Sequence, residues 1–174
     1  MDGRDTSRNI VIVGFMGTGK STVSRLLSEQ LGWDRIDTDE EIERRAGKPI
    51  PQLFSEEGEE AFRDWESRVL EDVLGGSRRV VATGGGAVLR ERNRRAMLRG
   101  GWVVSLTADR DSLVRRVTSA AAAGTRPLLA GDAEAKVAAL LEARKHAYDF
   151  AHATIDTSRL APADIAKLML GWMR

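Results

Sequence analysis

Short apolar, β-branched runs alternate along this chain with longer stretches in which apolar residues recur every three or four positions. That alternation marks a parallel sheet covered by helices on both faces. Strands are expected at Asn9–Val13, Arg35–Asp37, Arg79–Ala82, Trp102–Leu106 and Ala153–Ile155. Helices are expected at Ser21–Leu31, Glu40–Ala46, Ile50–Glu57, Glu59–Leu74, Glu91–Arg99, Asp109–Val117, Ala133–Phe150 and Ala163–Trp172. Within Glu59–Leu74, the residues Phe62, Trp65, Val69 and Val73 form an apolar stripe at helical spacing. Pro162 stands where a first-turn proline would open the last helix.

No internal repeat or linker divides the pattern, so residues 1–174 are expected to form one α/β domain with residues 1–8 as a flexible polar lead-in. The segment Thr118–Asp132 lacks strong periodicity and carries glycines near both ends. Two readings stand for it: a mobile lid over about residues 118–132, or a solvated connection between two helices. The four alanines Ala120–Ala123 could also extend the preceding helix.

The run Gly14-Phe15-Met16-Gly17-Thr18-Gly19-Lys20-Ser21 reads G-x-x-x-x-G-K-S, directly after the first apolar strand and directly before a helix. Strand, glycine-rich turn and helix are the context of a phosphate-binding P-loop. Its glycines let backbone N–H groups curl around a polyphosphate, and the helix N-terminus adds partial positive charge. Lys20 is placed to reach the β- and γ-phosphates, and Ser21 to offer its hydroxyl to magnesium. The chain is therefore expected to bind a nucleoside triphosphate.

Composition narrows the class further. The chain has 27 Lys and Arg against 26 Asp and Glu, a net charge of +1, and this balance does not point to nucleic acid. There is no cysteine, which excludes disulfides, thiolate metal ligands and cysteine nucleophiles and fits the cytoplasm. Neither a signal peptide nor a membrane-spanning apolar run is apparent. A monomer is the expected state, since no apolar surface stripe stands out.

Further candidates lie at expected strand ends. Asp37-Thr38-Asp39 follows the second strand, which puts both carboxylates at the carboxyl edge of the sheet, where open α/β sheets bind ligands. Asp37 would help hold magnesium and Asp39 would orient or deprotonate a substrate hydroxyl. The same residues also fit a capping box, Thr38-x-x-Glu41, and both roles are compatible. Gly84-Gly85-Gly86 ends the third strand, where missing side chains would let a ligand approach the backbone. Arg63, Arg126 and Arg144 are candidates for gripping an anionic substrate. Arg63 and Glu66 equally suit a helix-surface ion pair. His146 and His152 form no metal pattern and read as structural.

Taken in order, GFMGTGKST, DTD, GEEAFRDWE, ATGGGAV, RPLL and the pair Arg144 and Tyr148 resemble the shikimate kinase family over nearly the whole chain. The resemblance implies a P-loop NTPase fold, a five-stranded parallel sheet in order 2-3-1-4-5 flanked by helices, with a mobile lid. It implies transfer of the γ-phosphoryl of ATP to the 3-hydroxyl of shikimate, with ATP and Mg2+ required, on the route to the aromatic amino acids. Gly17, Thr18, Gly19, Lys20, Ser21 and Thr22 would wrap the phosphates, with Ser21 and Asp37 toward magnesium. Asp39 would meet the shikimate hydroxyls. Arg63 and Arg144 would bind its carboxylate, Gly84, Gly85 and Gly86 would lie along its ring, and Phe54 and Phe62 would line the apolar side. Lys20, Asp39 and Arg126 would carry the catalytic roles, while Arg116 and Pro162 would flank the adenine. The loop from Arg116 to Arg126 is unusually alanine-rich, and Asp156–Arg159 matches the family's adenine-side segment loosely. Two other readings remain: a related P-loop kinase of another small hydroxy acid such as gluconate or quinate, and a nucleotide-binding regulator without catalysis.

Overall fold

The structure, a computed structural model, describes residues 8–122 and 132–173. The lid arginine Arg126 therefore lies outside the described residues. Five strands, β1 (Asn9–Gly14), β2 (Asp34–Asp37), β3 (Arg79–Ala82), β4 (Gly101–Thr107) and β5 (Ala153–Asp156), form one sheet in the order β2-β3-β1-β4-β5. Every pairing is parallel, with Ile12 opposite Ala82 on one side and opposite Val104 on the other.

Because β1 is central, its apolar run has to serve two cores. Side chains alternate across a strand. Val11 and Val13 join Phe62, Val69, Val81 and Val103 on one face, while Ile10 and Ile12 join Val23, Leu27, Val104 and Ile165 on the other. This explains why the sequence shows an unbroken apolar run here rather than an alternating one.

The helices are α1 (Lys20–Leu31), α2 (Thr38–Ala46), α3 (Ile50–Glu57), α4 (Glu59–Leu74), α5 (Glu91–Gly100), α6 (Arg110–Ala122), α7 (Ala133–Arg144) and α8 (Pro162–Trp172), with one 3₁₀ turn at Ala87–Leu89. Pro162 opens α8 in its first turn, as expected. Helix α6 runs through Thr118 to Ala122, so the first part of the segment read as a lid is helical. Asp132 caps α7, accepting from the Ala135 N–H at 3.2 Å.

Two expectations are corrected. Helix α7 ends at Arg144, and residues 145–150 form turns rather than the continuous helix expected to Phe150. No glycine or proline marks that end, so composition hid it. Thr38 is not the cap of α2: Asp37 is, with Oδ1 accepting from the N–H groups of Asp39 at 3.0 Å and Glu40 at 3.3 Å. Thr38 Oγ1 instead accepts from the Gly84 N–H at 3.2 Å, and Glu41 turns away to Arg44 and Arg45. Of the expected lead-in, residues 1–7 lie outside the described residues, and Arg8 donates to the carbonyls of Leu98 and Arg99.

Candidate active site

The loop after β1 has the geometry its glycines imply. Gly14 adopts φ 149°, and a Cβ there would collide with the Leu106 carbonyl oxygen of β4. Gly19, at φ 94°, is the left-handed residue that turns the chain into α1, and nothing surrounds it. Backbone N–H groups at such a helix N-terminus suit an anion. Lys20 folds back over the loop, donating to the carbonyls of Gly14 at 2.8 Å and Phe15 at 2.9 Å. Thr18 is buried and donates to the Phe15 carbonyl at 2.7 Å, which holds the loop in shape, whereas Thr22 is exposed. Arg116 of α6 donates to the Gly17 carbonyl at 3.1 Å and to Thr157 through both its hydroxyl and carbonyl oxygens. One guanidinium thus joins the loop to the segment that leads into Pro162.

Beside the loop opens a cleft of about 400 Å³. It gathers Lys20, Ser21, Asp37, Asp39, Phe54, Phe62, Arg63, Gly84, Gly85, Gly86 and Arg144 from six separate stretches of the chain. Gly17, Thr18, Gly19, Thr22, Arg116 and Pro162 do not line it. Met16, Glu43, Ile50, Pro51, Glu66 and Thr83 also line the cleft, and sequence reasoning gave none of them a role there.

Asp37 ends β2 and caps α2 at once, so its carboxylate is fixed on both sides. Oδ1 holds the helix N-terminus, and Oδ2 accepts from the Ser21 hydroxyl at 3.0 Å with Arg35 at 3.6 Å. Ser21 and Asp37 offer the hard oxygen donors that Mg2+ prefers. Among the described residues no group of three or more His, Cys, Asp or Glu could hold a metal, so a magnesium ion here would draw its other ligands from phosphates and water.

Asp39 sits deeper. Burial, then the nearby Asp37 and Glu66, pushes its carboxyl up to about 7, against the pull of Lys20. Among the described residues Oδ1 is buried with no hydrogen-bond partner. An unpartnered buried acceptor costs stability, and a donor from a bound ligand would satisfy it.

Gly84 and Gly86 make room for neighbouring side chains, while Gly85 lies at ordinary contact distance from a third. A Cβ on Gly84 would sit 2.7 Å from Asp39 Oδ1, one on Gly85 3.4 Å from Arg144 Nη1, and one on Gly86 2.5 Å from Arg63 Nη1. Part of the reason for glycine is thus the protein's own packing, beyond the ligand approach that the sequence suggested. Arg63 is not on the surface: its side chain is 11% exposed and donates to Glu66, itself 1% exposed, at 2.6 Å. The expected helix-surface pair is therefore a buried one. Its signal was present, since Glu66 falls between Phe62 and Val69 on the inward stripe of α4. Phe54 and Phe62 meet at 4.8 Å between ring centroids and form the apolar wall, with the Arg63 guanidinium 5.2 Å from the Phe62 ring centre. His152 is structural as expected, with Nδ1 accepting from the Val103 N–H at 2.9 Å, and His146 pairs with Asp149.

A glycine-rich loop after a central parallel strand, in a sheet of order 2-3-1-4-5, is the P-loop kinase fold. Comparison with known proteins carries this further. The family model described as shikimate kinase matches residues 16–174. A shikimate kinase of Gloeobacter violaceus is 47% identical over 89% of this chain and 86% of its own length. One from Limosilactobacillus fermentum is 42% identical over 95% of both. The solved shikimate kinase of Acinetobacter baumannii, in complex with shikimate, superposes with a TM-score of 0.89 at 39% identity, covering 97% of this chain and 94% of the other. The chain belongs to the shikimate kinase family.

Proposed function

We propose that this protein transfers the γ-phosphoryl group of ATP to the 3-hydroxyl of shikimate, giving ADP and shikimate 3-phosphate for aromatic amino acid biosynthesis. The observation that carries the proposal is Asp39: a half-buried carboxylate with one buried, orphaned oxygen, lining the cleft between the P-loop and the Gly84–Gly86 turn. A substrate hydroxyl is the donor that this oxygen lacks.

The cleft is polarised to suit one acceptor orientation. Arg63 and Arg144 stand at Gly86 and Gly85 and would grip the carboxylate, while Asp39 stands at Gly84 and would meet the hydroxyls. Phe54 and Phe62 would cover an apolar part of the ring. On the nucleotide side, residues 17–22 would enclose the phosphates. Lys20 would exchange its two carbonyl acceptors for phosphate oxygens, keeping its charge paired throughout. Arg116, anchored on Thr157, and Pro162 would flank the adenine. Arg126 would come over the phosphates with the lid.

In the transfer, Asp39 accepts the proton of the 3-hydroxyl as that oxygen bonds to the γ-phosphorus. The bond from phosphorus to the β–γ bridging oxygen breaks and ADP leaves. A carboxyl pushed up toward neutrality is a better proton acceptor than an ordinary aspartate. Mg2+, held through Ser21 and Asp37, would supply charge neutralisation on the phosphates. Phosphoryl transfer asks mainly for positioning and charge stabilisation, and this site supplies both.

Among the described residues no helix is long and apolar enough to cross a membrane. We place the enzyme in the cytoplasm as a monomer, acting on small molecules and not on nucleic acid, in line with its balanced charge. The test is ADP release with ATP and Mg2+, comparing shikimate, quinate, gluconate and no acceptor. Shikimate-dependent release supports the proposal. Release with another acceptor moves the substrate assignment, and ATP binding without turnover favours a regulator.

A further inference from the structure

Tyr148 lies in the turn after α7 and is absent from the cleft lining, yet it touches the site through one atom. Its hydroxyl donates to the Gly85 carbonyl at 2.8 Å. Arg144, one helical turn earlier, brings Nη1 to the same glycine. The ring packs at once against the cluster containing Phe62, Val11 and Val13 and against the cluster of Phe15, Leu113, Val117 and Val137. That double packing needs an aromatic ring but no oxygen. Phenylalanine would fill the same space, so the hydroxyl calls for another explanation.

The glycine turn supplies one. Three successive glycines have more backbone freedom than any other tripeptide, and the site needs them held still. Gripping the Gly85 carbonyl fixes the whole trans peptide between Gly85 and Gly86, including the direction of its N–H. The Arg144 guanidinium passes 3.4 Å from the position a Gly85 Cβ would take, so the held peptide lies directly beside it.

We infer that Tyr148 is a positioning residue for the acceptor's carboxylate, its hydroxyl holding the Gly85 peptide in fixed geometry beside the Arg144 guanidinium. This rests on the reading of Arg144 and Gly85 as acceptor-binding groups. Burial raises the phenol above its ordinary value, so the hydroxyl keeps its proton and remains a donor across the working pH range.

The test is Tyr148→Phe, which keeps the ring and removes only the oxygen. Loosening one charged hydrogen-bonding group should raise the KM for shikimate about tenfold. The KM for ATP should stay at its wild-type value and kcat should change by less than about twofold, because no reacting atom is touched. Shikimate binding measured by calorimetry without nucleotide should weaken by the same factor. A double-mutant cycle separates this role from packing: in an Arg144→Met background the Phe substitution should cause no comparable further loss of shikimate affinity. An unchanged shikimate KM in Tyr148→Phe, a parallel loss of ATP and shikimate affinity, or additive effects in the cycle would each overturn the inference while wild-type turnover stands. A wild-type protein that neither binds nor phosphorylates shikimate would overturn the inference and the proposed function together.

Discussion

Glu66 accepts a 2.6 Å hydrogen bond from Arg63 on the inward face of α4, in a pair whose two side chains are 1% and 11% exposed. Burial raises the Glu66 carboxyl, and the guanidiniums of Arg63, Arg144 and Arg90 oppose that rise. The pair places the Arg63 cation at Gly86, and its second terminal nitrogen stands 3.5 Å from Glu59 Oε1. Removing one partner of a buried pair strands the other charge, at a cost of about 3–5 kcal/mol. Glu66→Ala should therefore lower unfolding stability by that amount in a urea titration and raise the shikimate KM. Glu66→Gln, which retains an acceptor for Arg63, should lose less on both counts.

Asp39→Asn keeps the size of the side chain and removes its charge. A positioned general base typically contributes about 10²–10⁴ in rate, so turnover should fall within that range. Stability should move the other way. The folded-state value of about 7 lies above the ordinary value of 3.8, so the ionised carboxylate opposes folding increasingly as pH rises through that interval. Unfolded in urea at pH 8 with a chelator present, the Asn variant should be at least as stable as wild type, and the advantage should vanish near pH 4. A less stable variant would indicate that Asp39 holds the fold rather than the substrate.

Glu41 gives the opposite pH signature. Hydrogen bonds from Arg44 and then Arg45 hold its carboxyl down at about 2, below its ordinary value of 4.5. A depressed carboxylate stabilises the fold above its unfolded value and loses that contribution as pH falls through the folded one. The stability difference between wild type and Glu41→Gln should be constant above about pH 5 and shrink between pH 4.5 and 2. Chemical denaturation across that range checks it; a difference independent of pH would contradict the assignment.

Much of this was legible in the residues. The G-x-x-x-x-G-K-S run, its entering strand and its following helix are contiguous, so their geometry is local, and the structure places them as expected. What sequence reading missed depends on contacts across the chain. Asp37 had to be both strand end and helix cap because no loop separates β2 from α2, and that freed Thr38 to bind Gly84, 46 residues away. Glu66 looked like a surface partner because a pair spaced i, i+3 is usually one; its burial follows from how α4 packs. The roles of Gly84 and Gly86 became clear only beside the Asp39 and Arg63 side chains they accommodate.

Arg126 tests the lid. If it stabilises charge on the transferring phosphoryl group as an arginine finger does, Arg126→Ala should lower kcat by about 10³-fold or more. ATP binding in the absence of acceptor, followed by calorimetry, should change little. Near-normal turnover would remove Arg126 from the mechanism.

The central claim is that Asp39 and the two arginines direct the γ-phosphoryl group to one hydroxyl of one acceptor. Proton-coupled ³¹P NMR on the products of ATP, Mg2+ and shikimate tests it most directly. The account predicts a single new phosphate ester coupled to the proton on C3 of shikimate, formed in step with ADP. Free phosphate without an ester, or an ester on another hydroxyl, would contradict it.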